Sequence, residues 1–145
     1  MTSSADGDYP PQLRLGDDIS SVRLTAPEGA DTFWRLTADW SGCFTADFEA
    51  AGVSTEDVAA FADRLLEGFA PDGPFAPREH FSAVVSEGRN NPLSVHVRRL
   101  DDGVVFLARV TPCGHDETSH LDLEIGAVPL DDQVAHLEAF RRELA

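Results

Sequence analysis

The period of the hydrophobic pattern changes along this chain, and that change limits the fold more than any other feature. Up to Ala50, and again from Phe81 to Gly126, apolar and polar residues alternate as they do in half-buried strands. From Ser54 to Phe69, and after Pro129, apolar residues recur at helical spacing. The sequence therefore predicts an α+β fold, an antiparallel β-sheet meander with two amphipathic helices packed on one face. The predicted strands are Gln12–Leu15, Ser20–Thr25, Asp31–Trp40, Cys43–Ala50, Phe81–Glu87, Leu93–Leu100, Gly103–Pro112 and Thr118–Gly126.

The first helix has the clearest start signal. Ser54 is a good N-cap, Asp57 stands at the capping-box position, and Val53 with Val58 can form a hydrophobic staple. The second helix begins at Pro129-Leu130-Asp131, where acidic residues favour a helix N-terminus, and runs to the end of the chain.

Turn residues predict the register of the last three strands. If Asp102-Gly103 is a two-residue turn, Val97 faces Ala108. The next hairpin then pairs Val110 with Leu121, which puts Leu121, Leu123 and Ile125 on the same apolar face as Ala108 and Val110.

The opposite, polar face of these strands then has a row of three side chains. The same register places His96, Arg109 and Asp122 side by side across the strands. Arg109 opposite Asp122 predicts an exposed ion pair, with a stabilisation of about a few tenths of a kcal/mol.

The ends of the sequence and its cysteines indicate the compartment. Residues 1–11 are predicted to be a disordered leader, and residues 12–145 a single α+β domain. The sequence has neither a signal-peptide pattern nor an apolar run of about 18 residues. Cys43 and Cys113 suit free thiols, so we expect a cytoplasmic protein.

The charge of the chain is strongly negative. The sequence has 26 acidic residues against 11 basic ones, all of which are arginine, and a net charge of −15. A GC-rich coding bias and solubility explain this composition without any function, whereas an acidic surface matched to a basic partner is the functional alternative. Nucleic acid is disfavoured as a partner because its phosphates require a basic surface.

One short stretch has the composition of a metal or catalytic site. Cys113, His115 and His120 lie within eight residues, and Asp116 could serve as a fourth zinc ligand. Cys113 could also act as a nucleophile with a histidine as base, although the neighbouring acidic residues would raise the pKa of the thiol. The predicted register instead makes Gly114–Glu117 a hairpin loop, which needs no metal.

Other residues of types that could take part in catalysis or binding have structural explanations. The sequence contains no GxSxG, HExxH, Walker or GxGxxG motif. His80 and His136 are interpreted as ordinary surface histidines. Trp34 and Trp40 share one face of their strand, and core packing is favoured for both over a role as a partner's anchor.

The order of segments resembles a known group of proteins. The segment TADWSGCFTADFEA leads into the helix STEDVAAFADRLLEGF, and the chain closes with PLDDQVAHLEAFRREL. This layout resembles the WapI-like immunity proteins and related actinobacterial families of unknown function, with Gly114-His115 in the place of their short Gly-His signature. The resemblance covers about residues 12–145. It implies a β-sheet with two packed helices, no catalytic residues, and a cytoplasmic protein, some of whose relatives neutralise a toxin by binding it.

These observations favour a protein that is not an enzyme and that binds another protein. A basic toxin domain is the partner that suits the negative charge of this chain best. The candidate surface consists of residues on the polar sides of the strands: Thr45, Asp47, Glu49, His96, Arg109, Asp122 and Glu124. No cofactor, metal, membrane or nucleic acid is expected, and a monomer and a homodimer both remain open. The alternative is a small metalloprotein or enzyme that uses Cys113, His115 and His120.

Overall fold

The fold consists of strand hairpins interrupted and closed by two helices. The computed structural model describes residues 10–28, 32–42, 44–70, 80–87, 90–112 and 119–145, with residues 44 and 45 described by their backbone alone. In these ranges the strands are β1 (Gln12–Gly16), β2 (Ser20–Thr25), β3 (Trp34–Trp40), β4 (Phe44–Ala50), β5 (His80–Val84), β6 (Leu93–Arg99), β7 (Gly103–Val110) and β8 (Leu121–Pro129). The helices are α1 (Thr55–Phe69) and α2 (Leu130–Leu144).

The strands form two antiparallel sheets of four strands each. Sheet A has the order β1-β2-β3-β4 and sheet B the order β5-β6-β7-β8, so each sheet is a meander of consecutive hairpins. The predicted antiparallel α+β class is confirmed, but the meander occurs twice rather than once. The helix α1 lies between β4 and β5 in the chain, and the second succession of hairpins starts at β5.

Both sheets and both helices contribute to one hydrophobic core. Aromatic contacts join the layers edge to face: Trp34 of β3 meets Phe140 of α2 at 6.2 Å, and Phe69 of α1 meets Phe106 of β7 at 6.5 Å between ring centroids. All four side chains are nearly or fully buried. Burying a large apolar side chain stabilises the fold by roughly 1.5–3 kcal/mol, so these contacts hold the helices on the sheets.

The N-terminus of α1 has the predicted capping box. The Asp57 N–H donates to Ser54 Oγ, and the Ser54 N–H donates to Asp57 Oδ2, both at 3.1 Å. Two backbone donors that the helix itself leaves unpaired are thereby satisfied, which stabilises the helix by about 1 kcal/mol.

The outer edge of β1 is covered by side chains of α2. The Gly16 N–H donates to Gln133 Oε1 at 3.0 Å, Gln133 Nε2 donates to the Arg14 carbonyl at 2.8 Å, and the Arg14 N–H donates to His136 Nε2 at 2.8 Å. An uncovered edge strand would present these groups to other chains. The interpretation of His136 as an ordinary surface histidine is therefore wrong, because its ring is half-buried and bonded to the sheet.

The register of the last hairpins was predicted correctly in one case and not in the other. Val110 pairs with Leu121, as predicted. Between β6 and β7, however, Val97 pairs with Phe106, so the predicted pairing with Ala108 is wrong by two residues.

The shift arises because the turn uses Asp101-Asp102 instead of Asp102-Gly103. The Leu100 N–H donates to the Gly103 carbonyl at 2.9 Å, which closes the turn around the two aspartates. Gly103 is the first residue of β7, where a Cβ would lie only 2.9 Å from the Val128 carbonyl oxygen. Close approach of β8 thus explains the glycine, and the apolar faces are unchanged because a shift of two preserves them.

Candidate binding surface

The seven predicted surface residues are divided between the two sheets. Thr45, Asp47 and Glu49 lie on β4, and the other four lie on β6, β7 and β8. Among the described strands β4 pairs only with β3, so the structure does not join the two groups. The second group lies on what we call the sheet B face, the polar side of that sheet, formed by Ser82, Val84, Ser94, His96, Leu107, Arg109, Asp122 and Glu124.

The sheet B face has two cross-strand rows. One row is Ser82–His96–Leu107–Glu124, and the other is Val84–Ser94–Arg109–Asp122. His96 therefore lies opposite Leu107, and the predicted row of His96 with Arg109 and Asp122 is wrong, because the β6–β7 turn is displaced. The rows border a shallow depression of about 550 Å³.

The predicted ion pair of the sheet B face is present. Arg109 Nε donates to Asp122 Oδ1 at 2.8 Å and Nη2 donates to Oδ2 at 3.1 Å, a two-pronged arrangement. These hydrogen bonds from Arg109 hold the pKa of Asp122 below its usual value. His120 Nε2 lies 3.9 Å from Asp122 Oδ2 on the same side. Both partners of the pair are about half exposed, so its main effect is to fix two side chains rather than to stabilise the fold.

Two histidines meet on the β5 side of the face. The rings of His80 and His96 stack with centroids 5.6 Å apart, and His96 Nδ1 is 3.1 Å from Ser82 Oγ. The interpretation of His80 as an ordinary surface histidine agrees with its exposure but did not include the contact with His96. No two-residue turn signal separates β5 from β6 in the sequence, so their register, and hence this pairing, could not be read from it.

An apolar side chain stands in the middle of the polar face. Leu107 is 51% exposed and is flanked by His96 on one side and Glu124 on the other. The predicted register places Leu107 on this face, two residues from Arg109, but the unbroken apolar run from Val104 to Ala108 gave no sign of an exposed position.

The two tryptophans of β3 have different environments. Trp34 is buried and its Nε1 donates to Thr55 Oγ1 at 3.3 Å, as expected for a core residue. Trp40 is 43% exposed, and its Nε1 donates to the Glu124 carbonyl at 3.1 Å, so the core prediction is wrong for it. That bond places Trp40 against β8, beside the sheet B face. Ile19, 66% exposed, precedes Ser20, the cross-strand partner of Trp40.

On sheet A, the predicted residues of β4 adjoin charged neighbours. Arg35 of β3 is hydrogen-bonded to Asp47 and lies opposite Glu49. Thr45 is paired through its backbone with Asp39. This side of β4 is a charged surface whose carboxylates face an arginine.

The alternative metal or catalytic site falls largely outside the described residues. Cys113, His115 and the predicted loop Gly114–Glu117 all lie there, as does Cys43. In the described ranges no group of three or more potential metal ligands is found. The alternative therefore stays a prediction.

Comparison of the chain with protein-family models, with curated proteins and with solved structures finds no match. Neither of the two described helices is long and apolar enough to cross a membrane. The resemblance to WapI-like immunity proteins stays a prediction.

Proposed function

We propose that this chain is a non-catalytic protein-binding module, and that it binds a basic partner through the sheet B face and the adjoining Trp40. The binding function that suits the chain best is that of a cytoplasmic immunity-type protein, which binds and blocks a basic toxin domain. The observation that carries the proposal is the exposure of Leu107 in the middle of the sheet B face and of Trp40 beside that face.

This arrangement has the composition of a protein–protein interface. Interfaces combine an apolar centre, in which tryptophan is enriched, with a polar rim that is hydrogen-bonded. Leu107 would supply the centre, and His96, Asp122 and Glu124 the rim. Exposed leucine and tryptophan side chains gain free energy when a partner removes them from water, at roughly 25 cal/mol per Å² of apolar area.

Several of these side chains are already held in place. Trp40 is fixed by its bond to the Glu124 carbonyl, and Arg109 by its two bonds to Asp122. Ordering a mobile side chain in an interface costs about 0.5–1.5 kcal/mol, so side chains that are fixed beforehand lose less on binding.

The charge of the partner is inferred from the whole chain rather than from the face. On the face itself Arg109 is balanced by Asp122, which leaves Glu124 as the excess charge. The net charge of −15 therefore acts at long range and would attract a basic partner, while the nearly neutral face provides short-range contacts.

The chemistry of the face supports a binding role over catalysis. The nearest approach to a nucleophile and base is Ser82 Oγ beside His96 Nδ1. Both residues are exposed, and among the described residues no carboxylate is hydrogen-bonded to His96 to orient it as the base of a triad.

Interface variants with matched controls test the proposal. The partner tested is the product of the neighbouring gene, because the resemblance to immunity proteins implies a toxin encoded alongside. We expect Leu107→Asp and Trp40→Ala each to weaken binding to it at least about tenfold, because each removes a central apolar contact. The controls are Leu100→Asp and Phe33→Ala, which change a leucine and an aromatic residue of similar exposure elsewhere, and which should leave the affinity within about twofold. The measurement is isothermal titration calorimetry, with circular dichroism to confirm folding.

Three results would count against the proposal. The first is equal loss of affinity in the interface variants and the controls, and the second is no binding at any salt concentration. The third is one equivalent of zinc that co-purifies with the chain and is lost in His120→Ala, which would favour the metalloprotein alternative.

A further inference from the structure

Two arginines face each other on the polar side of sheet A, away from the sheet B face. Arg14 of β1 is the cross-strand partner of Arg23 of β2. The Asp17 N–H donates to the Ser20 carbonyl at 3.0 Å, which makes that pair a hydrogen-bonded one. Since the two kinds of pair alternate along an antiparallel ladder, Arg14 and Arg23 form a non-hydrogen-bonded pair, the kind whose side chains lie closer together.

Neither guanidinium is neutralised well. Arg23 makes no ion pair with any described residue, and Asp39, diagonal to it on β3, is not within 4.0 Å. Arg14 forms one ion pair, with Asp18 at 3.4 Å, whose carboxylate is 94% exposed. Backbone hydrogen bonds lower the pKa of Asp17, and the charge of Arg14 helps to lower it further. Arg35, on the same side of the sheet, is already bonded to Asp47.

Unpaired polar atoms concentrate at the same place. The Nε atoms of Arg14 and Arg23 are buried and have no hydrogen-bond partner, and Asp39 Oδ1 in the next row is the third such atom. Only one further atom of this kind, Arg99 Nη1, occurs elsewhere in the described residues. Buried polar groups in native proteins are almost always satisfied, and the two guanidinium donors, Arg14 Nε and Arg23 Nε, lack an acceptor. Asp39 Oδ1 is itself an acceptor, so only the two arginines would contact an added oxyanion.

We propose that Arg14 and Arg23 form a binding site for a phosphate-type oxyanion. Like charges directly opposite each other destabilise a sheet, and an oxyanion between them turns that repulsion into two charge-assisted contacts. The planar guanidinium presents donors at a spacing that matches two oxygens of a tetrahedral phosphate. Because the chain as a whole is strongly acidic, such a site depends on these local donors and not on the long-range field.

The test is phosphate-dependent thermal stability in wild type, Arg23→Gln and Arg98→Gln. Arg98 is an exposed arginine of sheet B, so both variants lose one positive charge. Sodium phosphate is raised from zero to about 50 mM near pH 8, with the ionic strength held at about 0.3 M by NaCl so that screening stays constant. We expect the melting temperature of wild type and Arg98→Gln to rise by about 3 °C or more and then saturate.

In Arg23→Gln the response to phosphate should be absent. Without phosphate this variant should melt at or above the temperature of wild type, because the like-charge pair is gone. That combination separates a ligand site from a structural role, which would lower stability in both conditions. Arg14→Gln should also lose the response, and it provides the test if Arg23→Gln fails to fold.

A small phosphate monoester, phenyl phosphate, is titrated in parallel by calorimetry. Tighter binding of the ester than of inorganic phosphate identifies a phosphorylated molecule as the ligand, and tighter binding of inorganic phosphate identifies the free ion. A rise that is equal in all three proteins or that never saturates is a general salt effect and overturns the proposal, as does no response in wild type.

Discussion

At the residue scale, Gln133 shows how one polar side chain can determine how a helix packs. It is one of two buried polar residues in the described core, with 3% of its surface exposed. Its amide oxygen accepts from the Gly16 N–H, and its amide nitrogen donates to the Arg14 carbonyl. The side chain thus takes the place of the strand that would otherwise pair with β1.

Replacing Gln133 by leucine should destabilise the protein by about 2–4 kcal/mol, because two buried backbone groups of β1 lose their partners. The free energy of unfolding is measured by urea denaturation. The slope of this free energy against urea concentration should be the same in the variant and in wild type. Glu138→Leu, at an exposed position of the same helix, is the control and should change stability by less than about 0.5 kcal/mol. A loss below about 1 kcal/mol in Gln133→Leu would show that water replaces the amide.

Sequence reasoning predicts the polar residues of the surface better than its apolar ones. Arg109 and Asp122 were expected as an ion pair and form one, because both stand at alternating positions in strands whose register was correct. Trp40 follows the apolar pattern of the core, and Leu107 is as apolar as its buried neighbours in β7, yet both are exposed. Alternation places a residue on a face of its strand, but only the tertiary packing decides whether that face is covered at that point.

At the scale of elements, the register of a hairpin was predictable where only one position of the turn agreed with the alternation of apolar and polar residues. Asp101-Asp102-Gly103 allows two neighbouring turn positions that keep the same face buried, and the preference for glycine in turns favoured the wrong one. The helix boundaries needed no such choice. Ser54 and Asp57 cap α1 through local contacts alone, and these are legible in the sequence.

The contact between α2 and β1 should be sensitive to pH. Burial lowers the pKa of His136 below its ordinary value, and the charge of Arg14 lowers it further. Nε2 must be unprotonated to accept the Arg14 N–H. The unfolded chain binds a proton near pH 6.5, above the folded pKa, so the contribution of His136 to stability is complete above about pH 6.5 and is lost as the pH falls below it.

We therefore expect the melting temperature of wild type to fall between about pH 7.5 and pH 5.5, a window that lies above the ordinary pKa values of carboxyl groups. His136→Gln should fall less over the same window, since it has no imidazole to protonate. His80→Gln, which removes an exposed histidine, is the control and should follow wild type. Identical slopes in wild type and His136→Gln would exclude this role for His136.

At the scale of the whole molecule, the sequence predicts the class of the fold but not its division into two sheets. The eight predicted strands and two helices occur in the predicted order, and each described strand overlaps its predicted range. Whether β4 pairs with β5 depends on contacts made across α1, and no local signal reports them. The candidate surface was divided for the same reason, because its residues were assigned to one sheet.

The acidity of the molecule and its apolar contacts should act on different steps of binding. A charge of −15 accelerates the approach of a basic partner, and salt screens this attraction. We expect the association rate constant to fall by about tenfold or more between low salt and about 0.5 M NaCl, measured by stopped-flow fluorescence or surface plasmon resonance. Leu107→Asp should instead act mainly on the dissociation rate, because its contact forms only in the bound state. An association rate that is independent of salt would show that the acidity does not steer the partner, and the composition would then reflect coding bias and solubility alone.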